Sequence, residues 1–170
     1  MTEHELLAEI AACEARLIFP YFDENVAWSI GQALVEKGRA SSLPIVINIR
    51  TPDATLFHAA LPGSAPDNDE WIRRKSNTTL RCHRSSYAVG LAFKARGIGT
   101  PGADEGLPIA DFATHGGSVP VRLLGGRVVA AVTVSGLPQA EDHAMVVAAM
   151  SAELNRINPA QARQDTIAGG

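Results

Sequence analysis

Two β-branched runs joined by a glycine pair constrain the fold more than any other feature of the sequence. The runs "SVPVRLL" and "RVVAAVTVS" flank Gly125-Gly126, and glycines between two such runs predict a tight β-hairpin. A second hairpin is predicted where "TPDA" places Pro and Asp at turn positions between "LPIVINIR" and "ATLFHAAL". Because strands that arrive as consecutive hairpins pair antiparallel, the order of elements favours an antiparallel sheet covered by helices.

The N-terminal third predicts two helices. Thr2 followed by Glu5 is a capping-box pattern, so a helix is expected from Thr2 to Arg16 with Leu6, Leu7, Ile10, Cys13 and Leu17 as its buried stripe. Asp23 is expected to cap a second helix, from Glu24 to about residue 37, and Gly38 to end it.

The middle and the end of the chain predict further helices. The segment "DEWIRRKSNTTLRCHRSSYAVGLAFKARG" lacks strand alternation and predicts one or two helices, bent near Ser76 to Thr79 or at Arg84-Ser85. A last helix, Asp142 to Leu154, is apolar on nearly every side. Such a helix is expected to be buried on several sides, and we interpret it as a subunit contact as well as core.

The global composition excludes several classes of protein. A chain of 170 residues with a net charge of −3 predicts one globular domain, residues 1–157, followed by a polar, frayed tail, 158–170. The negative net charge gives no reason to expect a nucleic-acid-binding surface. Cys13 and Cys82 have no metal-binding or disulfide spacing and are expected to be free thiols. With no signal-peptide pattern and no apolar run long enough to span a bilayer, the chain is expected to be cytoplasmic.

The stretch "THGGSVPV", Thr114 to Val121, has two interpretations. His-Gly-Gly resembles the oxyanion-hole segment of esterases, but that chemistry needs a G-x-S-x-G nucleophile elbow, which the sequence lacks. The favoured interpretation is architectural, with Gly116 and Gly117 allowing positive φ where a loop enters a strand. The other glycine motif, "GIGTPG" at residues 97–102, lacks the flanking strand and helix of a dinucleotide site and is expected to be a loop.

The basic segment from residue 73 to residue 84 also has two interpretations. A solvated helix face is favoured, because runs of charge usually face water. The alternative is an anion clamp for a carboxylate or a phosphate. Trp71, beside this segment, is expected to lie in the core. None of the five histidines has a ligand partner at helical spacing, so no metal site is predicted.

Several motifs together resemble a known family. They are "WIRRK" at residues 71–75, "SSY" at 85–87, and "HGGSVPV" and "SGLPQAEDH" in the last third. With them the chain resembles the haem-degrading, GlcG/HbpS-like domain family, and is most similar to a cytosolic subfamily that has these motifs. The resemblance implies an α/β, profilin-like fold with a mostly antiparallel five-stranded sheet and helices on its faces. It also implies a homo-oligomer larger than a dimer, and haem as a cofactor.

Two hypotheses for function follow. In the first, the protein binds haem or a small anion between the basic helix and the His115 loop. Candidate ligand-binding residues are Lys75, Arg81, His83, His115, Gly116, Gly117, Ser135, Asp142 and His143. Glycines and a helix start suit anions, and His83, His115 and His143 are the candidate axial ligands. In the second, the protein is an oligomeric scaffold that binds other proteins without catalysis. No catalytic residue is assigned under either hypothesis.

Overall fold

The computed structural model describes residues 1–159, which form five α-helices, a 3₁₀ turn and one five-stranded sheet. The helices are Glu3–Arg16 (α1), Glu24–Ala40 (α2), Pro66–Cys82 (α3), Ser86–Lys94 (α4) and Gln139–Ile157 (α5), and the 3₁₀ turn is Ala103–Glu105. The strands are Ile18–Phe19 (β1), Val46–Arg50 (β2), Thr55–Ala60 (β3), Ser118–Leu123 (β4) and Val128–Ser135 (β5).

The sheet has the strand order β1-β4-β5-β2-β3. Both predicted hairpins are present as the antiparallel pairs β2–β3 and β4–β5, and β2 also pairs antiparallel with β5. Only the two-residue β1 is parallel to its neighbour, β4. Gly125 and Gly126 form the second hairpin turn with φ of 86° and 90°. The expected fold, a mostly antiparallel five-stranded sheet with helices on its faces, is confirmed.

One face of the sheet is apolar. Cross-strand pairs such as Ile47 with Val134, and Val119 with Val132, present aliphatic side chains to α2 and α5. Val146 and Met150 of α5 lie in the same cluster and are fully buried. Since α5 packs on β4, β5, α2 and α4 within one chain, contacts within the subunit already explain much of its apolar pattern.

The opposite face of the sheet carries hydroxyl groups and lies under α3. The Ser76 hydroxyl is 3.0 Å from that of Thr133, and Thr133 donates to the Ser118 hydroxyl at 2.8 Å. Thr79 donates to the backbone oxygen of Ser118 at 3.2 Å. All four side chains are fully buried. These bonds fix the register of α3 on the sheet and so place the side chains at its N-terminal half.

The helix boundaries differ from the prediction in several places. α5 extends from Gln139 to Ile157, beyond both ends of the predicted helix, Asp142 to Leu154. Gly38 does not end α2, which continues to Ala40. A Cβ at residue 38 would collide with the Leu61 side chain, so this glycine allows close packing within the helix. The long middle segment is two helices, separated where His83 adopts a left-handed conformation with φ of 55° before Arg84-Ser85. The second of the two predicted break points is therefore the observed one.

Most of the predicted tail, residues 160–170, lies outside the described part of the chain. Among the residues that the structure describes, no helix combines the length and the apolar character needed to cross a bilayer.

Candidate functional site

A polar cavity lies where β5 ends and α5 begins. Its volume is about 270 Å³, and it is bounded by the N-terminal half of α3, the loop before β4 and the β5–α5 connection. The cavity is lined by Asn68, Trp71, Lys75, His115, Ser135, Gly136, Leu137, Gln139 and Asp142. Residues from three separate segments therefore meet there.

A buried ion pair forms one wall of this cavity. The Lys75 ammonium lies 3.0 Å from Asp142 Oδ2 and donates to the backbone oxygen of Val134 at 3.2 Å. Asp142 Oδ1 accepts from the Leu137 backbone N–H at 3.0 Å. The two side chains are 4% and 1% exposed. A charged pair held this far from water needs its remaining hydrogen bonds satisfied, and the backbone groups of Val134 and Leu137 provide them.

Burial shifts both members of the pair towards their neutral forms. Removal from water lowers the pKa of Lys75, and Asp142 opposes this shift. The same removal from water raises the pKa of Asp142, against the attraction of Lys75 and the backbone donors of residues 136 and 137. Because the two shifts converge, moving a proton from the ammonium to the carboxylate needs less free energy here than in water.

The Gly116-Gly117 pair makes room for this arrangement. A Cβ on Gly117 would lie 2.8 Å from Lys75 Nζ and would collide with the Val134 carbonyl, and φ at Gly117 is 129°. A Cβ on Gly116 would collide with the Gln139 backbone oxygen. Of the two predicted positive-φ glycines, only Gly117 has a positive φ. Both glycines bring the loop close to its neighbours, Gly117 to Lys75 and Gly116 to α5.

Two amides supply unused donors to the cavity. Asn68 Oδ1 accepts from the Ala65 N–H at 2.8 Å, and Gln139 Oε1 accepts from the Gly116 N–H at 3.1 Å. Within residues 1–159, neither amide NH₂ group donates to a protein acceptor. Because each amide oxygen is already occupied, the free ends of both side chains are donors, which suits a ligand with oxygen acceptors.

Trp71 is not a core residue, contrary to prediction. It is half-buried in the cavity wall, with its ring edge-to-face on His115 at 4.9 Å and the Arg74 guanidinium 4.4 Å from its centroid. Its indole N–H donates to Asp67 at 3.0 Å. Burial, together with the charges of Lys75 and Arg74, lowers the pKa of His115, so this imidazole is neutral at pH 7.

A second recess, the α1–α5 groove, is mostly apolar. Its volume is about 460 Å³, and it is lined by Glu9, Ile10, Ala12, Cys13, Arg16, His143, Ala144 and Val147. His143 packs edge-to-face on Tyr87 at 5.4 Å, and its Nδ1 is buried with no hydrogen-bond partner among the described residues. Burial lowers the pKa of His143 to about 4. Of the predicted buried stripe of α1, Ile10 and Leu17 are buried, whereas Leu6, Leu7 and Cys13 are only partly covered. Ile10 and Cys13 line the groove.

The candidate site residues from the sequence fall into three places. Lys75, His115, Ser135 and Asp142 line the polar cavity, with Gly116 and Gly117 directly behind it. His143 lines the α1–α5 groove instead. The Arg81 guanidinium lies 5.2 Å from the centre of the Phe112 ring, and His83 ends α3. Neither of these two residues lines the cavity.

The sequence reasoning missed five residues as cavity residues: Asn68, Trp71, Gly136, Leu137 and Gln139. Trp71 lies in the motif "WIRRK" and Gln139 in the motif "SGLPQAEDH". These motifs were the only indication in the sequence that the two residues belong to a site. The solvated-face interpretation of the basic segment fails for Lys75, which is buried. It fits Arg73, which pairs at the surface with Glu70 and Asp111. In the described part of the chain, no three His, Cys, Asp or Glu residues come close enough to hold a metal ion.

Comparison with known families assigns the chain. The family model described as haem degrading protein HbpS-like matches residues 22–151. The chain belongs to the HbpS-like family. It is 46% identical to a UPF0303 protein of Acidobacterium capsulatum over 152 residues, which cover 89% of this chain and 92% of that protein. A UPF0303 protein of Streptomyces coelicolor is 49% identical over 85% of this chain and 90% of its own length.

Solved structures of the HbpS-like fold agree. The crystal structure of Ybr137w superposes with a TM-score of 0.79 at 32% identity and covers 88% of this chain and 89% of its own. HbpS itself has a TM-score of 0.63 at 18% identity, over 79% of this chain and 90% of its own. A haem complex of PduOC has a TM-score of 0.65 at 17% identity, over 77% and 94% of the two chains. The latter two likenesses are evidence for the fold alone.

Proposed function

We propose that this chain binds a small organic ligand, held through carboxylate or carbonyl oxygens, in the polar cavity. The observation that carries the proposal is the buried Lys75–Asp142 pair facing a cavity with two unused amide donors. Buried charge of this kind is unfavourable for stability unless fully paired, and perturbed ionisable groups cluster at functional sites.

Charge and size narrow the ligand class. Lys75 and Asp142 cancel, and His115 is neutral at pH 7, so the cavity walls have no net charge for a multiply charged anion. The start of α5, where the N-cap residue Pro138 makes no side-chain cap, adds backbone donors and a positive dipole end. At about 270 Å³, the cavity lies just below the size of drug-binding pockets, about 300–1,000 Å³. A short monocarboxylate or carbonyl compound fits, with its apolar part against Trp71 and Leu137.

The test is calorimetric titration and thermal shift with acetate, glyoxylate, pyruvate and glycolate. At a ligand concentration of 100 times Kd, binding to the folded state alone stabilises by about 2.7 kcal/mol. The variant Trp71→Ala should remove the response. Trp28→Ala is the matched control, because Trp28 is 61% exposed on α2 and should leave it unchanged. Absence of any response to all four compounds would overturn the proposal.

The α1–α5 groove favours a second candidate function, haem binding. His143 lines the groove and is held neutral by burial, the form that coordinates iron. The groove is mostly apolar, and Arg16 on its wall can pair with a propionate. These residues fit the group, which when bound supplies redox and ligand-binding chemistry at iron. The haem complex of PduOC, a protein of the same fold, is additional support.

A Soret titration tests the haem candidate. His143→Ala should abolish the band shift, whereas His115→Ala, in the polar cavity, should keep it. No shift in the parent protein at tens of micromolar haem would exclude the candidate, and a shift that survives His143→Ala would assign it to another site.

We also propose that the subunit assembles into a homo-oligomer larger than a dimer, which is also what a scaffold function would need. The support is the exposed apolar surface that α5 keeps at Ala144 and Ala148. Val146 is fully buried in the subunit core, so Val146→Glu would unfold the subunit. Ala148→Glu is the informative variant, and light scattering should then report about one subunit mass, 18.0 kDa. Parent protein that is already monomeric would contradict this proposal.

A further inference from the structure

We propose that Lys75 is a nucleophile that condenses reversibly with the carbonyl group of a small aldehyde or 2-oxo acid, forming an imine with Asp142 as its acid–base partner. This activity rests on the proposed ligand cavity and assigns a reaction to it. Its products are the bound imine and water.

The position of Lys75 is the first argument. Its side chain is 4% exposed, yet the residue lines the cavity. Of the three ammonium hydrogens, one is taken by Asp142 and one by the Val134 carbonyl. Within residues 1–159, the third has no protein acceptor. A ligand oxygen in the cavity can therefore accept this third hydrogen without first displacing a protein group.

The partner carboxylate is the second argument. Asp142 Oδ2 lies 3.0 Å from the Lys75 nitrogen, while Oδ1 is held by the Leu137 N–H at 3.0 Å. The bond from the Leu137 N–H fixes the orientation of the carboxylate, so that Oδ2 stays within hydrogen-bond distance of the Lys75 nitrogen. A base within hydrogen-bond reach of its proton is the geometric requirement for general acid–base catalysis.

The proton balance of the reaction closes within the pair. The Lys75 ammonium gives a proton to the Asp142 carboxylate, and the free amine attacks the carbonyl carbon. The bonded nitrogen then loses one of its two protons to the former carbonyl oxygen, which becomes a hydroxyl. Asp142 returns its proton to that hydroxyl as the C–O bond breaks. One water leaves, and the product is a protonated imine beside a carboxylate. The net charge of the pair is zero before and after, so burial does not oppose the reaction.

The electrostatics agree with this geometry. Burial lowers the pKa of Lys75, which raises the fraction of free amine, and Asp142 opposes this shift. The ionisable His115 lines the same cavity, and the charges of Lys75 and Arg74 both act on it. His115 is neutral at pH 7, and Arg74 is stacked on Trp71. Desolvation is a known way to activate a lysine nucleophile.

The ligand class follows from the rest of the lining. An aldehyde or keto group must reach Lys75, and the neutral donors of Asn68 and Gln139 suit an adjacent carboxylate. Glyoxylate, the smallest compound with both groups, is the appropriate probe.

Reductive trapping of the wild-type protein tests the proposal. The protein is incubated with glyoxylate and sodium cyanoborohydride, and labelling is quantified by peptide mass spectrometry. The chain has only three lysines, Lys37, Lys75 and Lys94, and the exposed Lys37 is the internal reference. Because a lower pKa leaves a larger fraction of a lysine as free amine, we expect Lys75 to be labelled faster than Lys37.

Two variants assign the role of each group. Lys75→Arg should lose the fast label without changing the slow labelling of Lys37. Asp142→Asn should slow labelling at Lys75 while circular dichroism shows a folded chain. If that variant unfolds, the wild-type comparison of Lys75 with Lys37 still decides the proposal.

The outcomes separate this proposal from the proposed function. If Lys75 is labelled no faster than Lys37 while calorimetry detects glyoxylate binding that Trp71→Ala removes, the imine proposal is wrong and the ligand-binding function stands. If glyoxylate neither binds nor labels Lys75, and the other ligands also fail to bind, both are wrong. Fast labelling that Lys75→Arg abolishes supports both.

Discussion

The polar cavity and the α1–α5 groove lie on either side of the start of α5 but are built in different ways. In the cavity, the buried charges of Lys75 and Asp142 are bonded to each other and to backbone groups of the β5–α5 connection. In the groove, the buried His143 leaves Nδ1 without a partner in the described chain, and the other walls are mainly aliphatic. Directional hydrogen bonds therefore stabilise the polar cavity, whereas the α1–α5 groove depends on how α1 packs.

The helix that closes the groove is lightly attached. α1 packs mainly on α4, and Ile10 is its only buried residue. Its polar links to α4 are a Glu14 carboxylate that accepts from the Ser85 N–H and an exposed ion pair between Glu3 and Lys94. Elements with few buried contacts open at low free energy. We therefore expect the groove to open more readily than the cavity.

The largest expected effect is on the cavity side. Asp142→Ala leaves the Lys75 charge buried without a partner, which should destabilise the protein by about 3–5 kcal/mol in urea unfolding. Glu141→Ala is the control, because Glu141 is exposed and should change stability by no more than about 0.5 kcal/mol. A loss below about 1 kcal/mol at residue 142 would mean that Lys75 becomes neutral at little cost.

A second prediction separates backbone strain from crowding. Gly117→Ala adds a methyl group against Val134 and Lys75 at a positive φ, and should destabilise by about 3 kcal/mol. Gly125 has a similarly positive φ but no neighbouring atom within 4 Å, so Gly125→Ala should lose only about 1 kcal/mol. If thermal unfolding shows equal losses of stability for the two variants, the structure does not depend on close contact of residue 117 with Val134 and Lys75.

The groove should respond to pH through His143. Burial lowers its pKa from 6.5 to about 4, so between these values the unfolded chain binds a proton that the folded chain does not. The stability that this histidine contributes is complete above pH 6.5 and is lost as the pH falls through the folded-state pKa. By pH 4.5 the loss is about 2–3 kcal/mol. Urea unfolding of His143→Gln should have a flatter pH profile in this window, and an unchanged profile would contradict the assignment.

The smallest effect tests the attachment of α1. Thr2 caps this helix by accepting from the Glu5 N–H at 3.2 Å, and Thr2→Ala should destabilise it by about 1 kcal/mol. Amide exchange in α1 should accelerate and any haem affinity should fall, while ligand binding in the cavity stays unchanged. Thr55→Ala, at an exposed position in β3, is the control. A matching loss of ligand affinity in the cavity would show that the two sites are coupled.

Sequence reasoning succeeded where structure is decided locally. Gly125-Gly126 adopts positive φ in the turn, and the flanking β-branched runs pair as predicted. Thr2 and Glu5 make both bonds of the capping box. Such signals involve residues within a few positions of each other, so their physics can be evaluated from the chain alone.

Tertiary packing decided the errors. Gly38 was expected to end a helix, but its missing Cβ makes room for Leu61, more than 20 positions away in the chain. Trp71 was expected in the core because it is large and apolar, yet it lies at the cavity wall between His115 and Arg74. In both cases the observed position depends on contact with a residue outside the helix itself, Leu61 for Gly38 and His115 for Trp71.

The sequence by itself determined the hairpins, the capped starts of α1 and α2, the family and several residue types that the candidate site contains. Only the tertiary structure showed that Lys75 turns inwards to Asp142 and that His143 faces a different recess from His115. The physical reason is that a charge run or a lone histidine has the same local pattern whether it is solvated or buried. Its burial and its partner depend on how α3, β5 and α5 pack, which no short-range pattern specifies.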